Sequence, residues 1–197
     1  MRKARYFILP VCLLLPMPLL AQALTVMGGD AWANSCYENA EYATNNSPLV
    51  SRSLLEPCNS ALDYGTLSLS DRAATFANRG IILAATKNIT AAMADYEKAM
   101  GISPQTPEIY VNRGNAYFLN MDYAMALADY EHSLELGIRQ IHFVRYNMGM
   151  AYEKLGNDNA AESQFRMALE IEPGWELVEE RLGRLLQRRA EDAANQQ

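Results

Sequence analysis

An all-α fold, a short right-handed α-solenoid of helix-turn-helix repeats, is what this sequence predicts, and three observations predict it. Gly80, Gly114 and Gly149 recur at spacings of 34 and 35 residues, each with an asparagine two positions earlier (Asn78, Asn112, Asn147). Twelve residues after each glycine stands an alanine (Ala92, Ala126, Ala161), then four later an aromatic (Tyr96, Tyr130, Phe165), then three later a small residue (Ala99, Ser133, Ala168). Two of the three units close with proline, Pro104 and Pro173. A period of about 34 residues marks a helical array, whose units cannot bury their apolar faces alone and so stack. Such an array is a surface for holding other molecules rather than a pocket for chemistry.

The first element along the chain is a targeting segment. Arg2, Lys3 and Arg5 precede an apolar run over 6–20, and Ala21, Gln22 and Ala23 follow. A charged stretch, an apolar stretch and a small-x-small site in that order describe a secretory signal peptide, here 1–23. The run holds Pro10, Pro16 and Pro18 and is shorter than the roughly 20 apolar residues a spanning helix needs. Cleavage before Leu24 is expected, with Ala31, Trp32, Ala33 as a second small-x-small site and retention as a membrane anchor as the other outcome. The expected location is the periplasm or the secreted space.

Residues 24–70 read as a degenerate helical unit. One period before Ala92 stands Cys58, in the small-residue slot, and Leu62 falls where the aromatic would be. Cys36 falls on an earlier helix, around 35–43, before a break at Asn45, Asn46, Ser47 and Pro48. The third cysteine, Cys12, lies in the apolar run, so two remain after cleavage. Export and an even count predict a disulfide between Cys36 and Cys58. With no Cys-x-x-Cys and no histidine near in sequence, it reads as a staple rather than a redox or metal site.

Three repeats follow, at 71–105, 106–140 and 141–174. In each, apolar residues recur at helical spacing, as with Phe76 and Leu83 and then Ala92, Tyr96 and Ala99. The glycine and first alanine are small where two backbones cross, and the aromatic fills the space toward the next repeat. Short polar stretches (Asn88, Ile89, Thr90; Asn120, Met121, Asp122; Gly156, Asn157, Asp158) supply the turns. The second repeat ends on Ile138 instead of proline, with one extra residue, which predicts a looser joint at 137–140. A capping helix is expected over 175–190, with Glu176, Glu179, Glu180, Arg181, Arg184 and Arg188 as the polar outer face that a terminal repeat needs. Residues 191–197 read as a frayed tail.

On these residues the chain resembles the tetratricopeptide-repeat family over about 71–174, and with its targeting segment it reads as an exported bacterial member. Phe76 and Tyr110 occupy the family's aromatic fourth position, where the third unit has Arg145. Position 7, usually leucine, holds Arg79 and Arg113, and sixteen residues later the same units carry Asp95 and Asp129. The third unit has Met148 and Gln164 there. Sixteen residues around a hairpin bring two positions side by side, so structural ion pairs Arg79 with Asp95 and Arg113 with Asp129 are expected.

The resemblance implies that the concave groove comes from the first helix of each unit. The implied lining is Asn78, Ile81, Val111, Asn112, Asn115, Phe118, Tyr146, Asn147 and Met150. Asparagine offers a donor and an acceptor on one short side chain. The row Asn78, Asn112, Asn147 either bonds the main chain of an extended peptide or bonds locally. The lysines and arginines with which the family grips acidic tails are absent, since Ala77, Ile81 and Val111 stand instead, so an uncharged or apolar partner segment is favoured.

Other classes find little support. The formal net charge is −6 with no basic stripe, which argues against nucleic acid. His132 and His142 lack metal-ligand spacing, and neither a phosphate loop nor a nucleophile elbow appears. No enzyme activity, cofactor or metal is expected. The partner is a protein or peptide, with membrane contact only if the first segment is retained. The other reading is a structural subunit of the cell envelope that assembles through its outer or terminal surfaces, for which exposed apolar area on the second helices would speak.

Overall fold

The computed structural model describes residues 22–26, 30–46 and 50–195, and among these the regular structure is helical, with no strand. Three hairpins form the middle of the chain: α3 (Leu69–Ala85) with α4 (Ile89–Ile102), α5 (Pro107–Leu119) with α6 (Tyr123–Glu135), and α7 (Ile141–Lys154) with α8 (Asp158–Ile171). Before them come α1 (Ala31–Asn46), a 3-10 turn (Arg52–Leu55) and α2 (Glu56–Tyr64), and after them α9 (Glu176–Asn195). Packing is most extensive inside each hairpin. Each second helix also leans on the next element, α4 on α5, α6 on α7 and α8 on α9.

The glycine period has a steric cause. A Cβ built on Gly80 would stand 2.6 Å from the Tyr96 ring, on Gly114 2.6 Å from Tyr130, and on Gly149 2.5 Å from Phe165. Each ring lies where only glycine leaves room, so glycine and aromatic lock the two helices of one hairpin. The same rings reach the next unit. Tyr96 shares a core with Ile109 and Ala116, Tyr130 with Val144 and Met148, and Phe165 with Val178, Leu182 and Leu185.

Each hairpin turn closes with one crossed pair of bonds. Asn88 N–H donates to Leu83 O and Lys87 N–H to Ala84 O, at 2.8 and 2.9 Å, and the same pair recurs from Asp122 and Met121 and from Asn157 and Gly156. This motif needs a left-handed residue at its centre, normally glycine. Gly156 meets that need with φ 73°, whereas Lys87 and Met121 adopt 63° and 66°. The first turn thus lies just ahead of Asn88, and α4 already begins at Ile89.

Several expectations are adjusted. The joint after the second repeat is anchored, because Ile138 is 2 % exposed and packs with Val144 and Tyr130. The last helix runs to Asn195, so 191–195 is helix rather than frayed chain, and 196–197 lie outside the described residues. The signal-peptide reading over 1–23 also falls outside them except for 22 and 23, as do Ser47 and Pro48 of the proposed break. Ala31, Trp32 and Ala33 form the first turn of α1, where Asp30 Oδ1 accepts from the Ala33 N–H at 2.9 Å. Cys36 on α1 and Cys58 on α2 are joined by a disulfide, buried with Ala40, Ala43, Ile81 and Ile82. Among the described residues no helix is long and apolar enough to cross a membrane.

Candidate functional site

The first helices α3, α5 and α7 lie side by side and carry Asn78, Asn112 and Asn147 at one register, all buried. Two of these asparagines grip main chain. Asn78 Oδ1 accepts from the Leu24 N–H and its Nδ2 donates to the Leu24 carbonyl, both at 2.7 Å. Asn112 does the same to Gln22, at 2.9 and 2.8 Å. In an extended chain one residue's N–H and C=O point to the same side, and alternate residues repeat the presentation. The carboxamide offers an acceptor and a donor in one plane, so each asparagine closes a two-bond fork on one residue. The strand held here is the chain's own segment 22–26, running from the second repeat toward the first, opposite to the order of the repeats.

Its side chains alternate. Leu24 and Val26 are buried in a core that includes Ala33, Ala74 and Ala77, while Thr25 between them is exposed. Ala23 packs against the cluster around the disulfide. Gln22 is the misfit, since its Nε2 is buried without a hydrogen-bond partner.

The third asparagine belongs to a chain of side chains. Asn147 Nδ2 donates to Asn115 Oδ1 at 3.0 Å, and the Tyr130 hydroxyl donates to that same oxygen at 2.7 Å. Burial pushes the Tyr130 hydroxyl well above its ordinary range, with the neighbouring Asp129 charge adding to it, so it stays a donor. The apolar residues expected to line an open groove are mostly enclosed. Ile81 lies in the cluster of α1 and the disulfide, Val111 packs with Ala126 and Tyr130, and Tyr146 and Met150 pack with Val178, Leu182 and Leu185 of α9. Phe118 alone of these five is only half-buried, edge-on to Tyr123 at 5.1 Å. The concave groove of apolar residues and asparagines that the resemblance implied is corrected accordingly: α1, segment 22–26 and α9 pack over much of it.

The arginine–aspartate pairs flank this face. Arg79 binds Asp95 through Nε and Nη2 at 2.6 and 2.9 Å, and Arg113 binds Asp129 likewise at 2.7 and 2.6 Å. The bond that Arg113 gives to Asp129 raises the Arg113 pKa further, against the effect of burial. The third hairpin keeps a neutral version that sequence reasoning missed. Arg145, one helical turn earlier, donates to Gln164 at 3.0 Å. The resident strand was also missed. The alternation of Leu24 and Val26 beside a row of asparagines was the one signal that could have found it.

Residues 105–172 match a family model described as "Tetratricopeptide repeat", and residues 80–120 match one described as "TPR repeat". The human protein "Tetratricopeptide repeat protein 13" is 34 % identical over 99 residues, which are 50 % of this chain and 11 % of that protein, so the chain spans about a tenth of its relative's length. Among solved structures, the first TPR of Spaghetti (RPAP3) bound to the HSP90 peptide SRMEEVD is similar with a TM-score of 0.57 and 25 % identity, over 61 % of this chain and 95 % of that one. TTC0263, a thermophilic TPR protein of Thermus thermophilus, is similar with a TM-score of 0.63 and 17 % identity, over 78 % of this chain and 80 % of that one.

Proposed function

Because residues 80–172 of this chain are tetratricopeptide repeats, we propose that it is an exported scaffold that holds an extended segment of a protein partner on the face of its first helices. One observation carries this: Asn78 and Asn112 each close a two-bond fork on the main chain of an extended strand. The forks read no side chain, so they suit a partner recognised by its extended backbone. The RPAP3 repeat, at 25 % identity, binds a peptide, which supports the class of function. That peptide is acidic, and here Ala77, Ile81 and Val111 stand at inner positions without a cation. The partner segment is therefore read as uncharged. Export is read from the targeting pattern at 1–23. No residue is assigned a catalytic step.

A photocrosslinking amino acid in place of Phe118, at the half-open edge of the face, tests this in intact cells. The expected adduct joins position 118 to an extended, uncharged stretch of a different polypeptide, and N112A weakens it. A second reading, assembly through outer surfaces, is favoured by the exposed apolar side chains Leu119, Met121 and Met125 around one hairpin turn. Adducts from position 125 to copies or envelope subunits, with none from 118, would overturn the first reading in favour of the second.

A further inference from the structure

We propose that, in the chain that keeps residues 1–23, segment 22–26 is a placeholder. The site's exchangeable ligand is an uncharged extended segment of a partner, with apolar side chains where Gln22, Leu24 and Val26 now stand, running from the second repeat toward the first. This rests on the peptide-holding reading above and adds its register, its direction and its competitor. The register follows from the forks, which hold residues 22 and 24 on Asn112 and Asn78. An incoming strand must therefore present its peptide groups at every second residue. The direction follows from the order of those contacts.

The side-chain preference follows from what surrounds the strand. Leu24 and Val26 sit in an alanine-rich core, so branched aliphatic side chains fit there, while the exposed Thr25 leaves its position tolerant. At the remaining inward position the resident is defective. Burying an amide nitrogen with no partner disfavours Gln22 at that rung, and an apolar side chain there carries no such penalty. A partner segment with an aliphatic residue at this position outcompetes the resident in intrinsic affinity. The resident persists through its tether, because it joins α1 within a few residues and the disulfide fixes α1 against α2. A tether of that length supplies a high effective concentration, which a free competitor must exceed. The placeholder thus keeps a buried polar row satisfied until a better strand arrives.

The probe is a fluorescein-labelled synthetic peptide of residues 21–26 carrying Q22L. Fluorescence anisotropy measures its binding to the full chain, to the full chain with L24D, which expels the resident strand, and to that variant with N78A and N112A added. Weak binding to the first, at least tenfold tighter binding to the second, and loss in the third are expected. The unmodified peptide should bind the second form less tightly than the Q22L peptide. Equal affinity for the first two forms would show that the resident strand does not compete. Indifference to the asparagine substitutions overturns the forks, and equal binding of a Q22E peptide overturns the apolar preference. If L24D lowers the helical circular dichroism signal, L24P, which removes the N–H given to Asn78 together with the leucine side chain but buries no charge, replaces it. Hydrogen exchange at the Leu24 amide is an independent readout, protected in the full chain and fast in N78A; fast exchange in both overturns the placeholder. Failure of the peptide in every form, with a partner still crosslinking to position 118, removes this inference and leaves the scaffold reading intact.

Discussion

Asp95 shows how much one residue can be asked to hold. Its carboxylate is 3 % exposed and takes two bonds from Arg79, whose third nitrogen donates to Asn59 on α2. Lys98 adds a longer contact at 3.6 Å. Removing the carboxylate leaves a mostly buried guanidinium with its main counter-charge gone, and that asymmetry, more than the value of the pair, sets the cost. D95A is expected to lower stability by about 2 kcal/mol in urea unfolding, against less than about 0.5 kcal/mol for the exposed Glu97. A double-mutant cycle on Arg79 and Asp95 should give a coupling of at least about 0.5 kcal/mol, and additivity of the two would remove the pair from the account. The sixteen-residue offset made these pairs legible. Arg145 with Gln164 was not legible, because the arginine has moved one turn and its partner carries no charge.

The helix-hairpin turns show a local cost that the fold tolerates twice. Lys87 and Met121 occupy the left-handed slot that Gly156 fills in the third hairpin. A side chain there is strained, while glycine is not. K87G and M121G should each stabilise the chain by about 0.5–1 kcal/mol, and G156A should destabilise it, all read from the urea midpoint at constant slope. The closing helix α9 depends on a different device. Glu153 on α7 receives Arg181 at 2.8 Å and Arg188 at 3.1 Å. Burial raises its pKa, but the two arginines outweigh this and the carboxyl sits below its ordinary value. A depressed carboxyl contributes stability that is present above its unfolded-state pKa and lost as pH falls through the folded one. Docking of α9 should therefore weaken as the solution is acidified below the usual glutamate range, and E153Q should reduce that pH dependence while the pairs of Arg188 with Asp158 and Arg189 with Glu162 keep the remainder, as followed by the fluorescence of Trp175 at the head of α9.

At the scale of the whole molecule, the two ends are secured by unlike means, an apolar seam flanked by charge pairs at α9 and a covalent bond at α1. The Cys36–Cys58 bond spans 22 residues, a loop whose closure stabilises by about 3 kcal/mol through the unfolded chain. Reduction should lower the melting temperature and release α1 first, so hydrogen exchange should rise along 31–46 before it rises in α5 or α7. An unchanged melt on reduction would show the bond to be dispensable. The middle of the molecule was open to reading because its packing demands particular residues: only glycine fits beneath Tyr96, Tyr130 and Phe165, and the demand repeats every 34 or 35 residues. The occupied face was not. Its contacts join residues 54 and 90 apart in sequence, through asparagines whose partners are main-chain atoms that any sequence would provide. Ile81, Tyr146 and Met150 were assigned to the correct helix surface, but their burial depends on α1, which lies outside the repeats, and on α9, which caps them.

The fork on Gln22 and the fork on Leu24 bracket a single peptide bond on each side of Ala23, and that has a consequence for timing. A processing protease must draw the bond between Ala23 and Leu24 into its own cleft as an unencumbered strand. In the folded chain the Gln22 carbonyl and the Leu24 N–H are both engaged. The cut expected after Ala23 and the docking of this strand are thus mutually exclusive events in a race: whichever comes first settles the other. Cutting during export leaves a new amino terminus at Leu24 against Asn78 and clears Asn112 of its strand. Folding first shelters the bond. Purified, folded full-length chain should therefore resist signal peptidase at this bond for at least tenfold longer than chain pre-unfolded in urea and diluted into the assay, with N78A and N112A abolishing the difference. Equal cleavage of folded and unfolded chain would show that the two forks do not hold the bond closed.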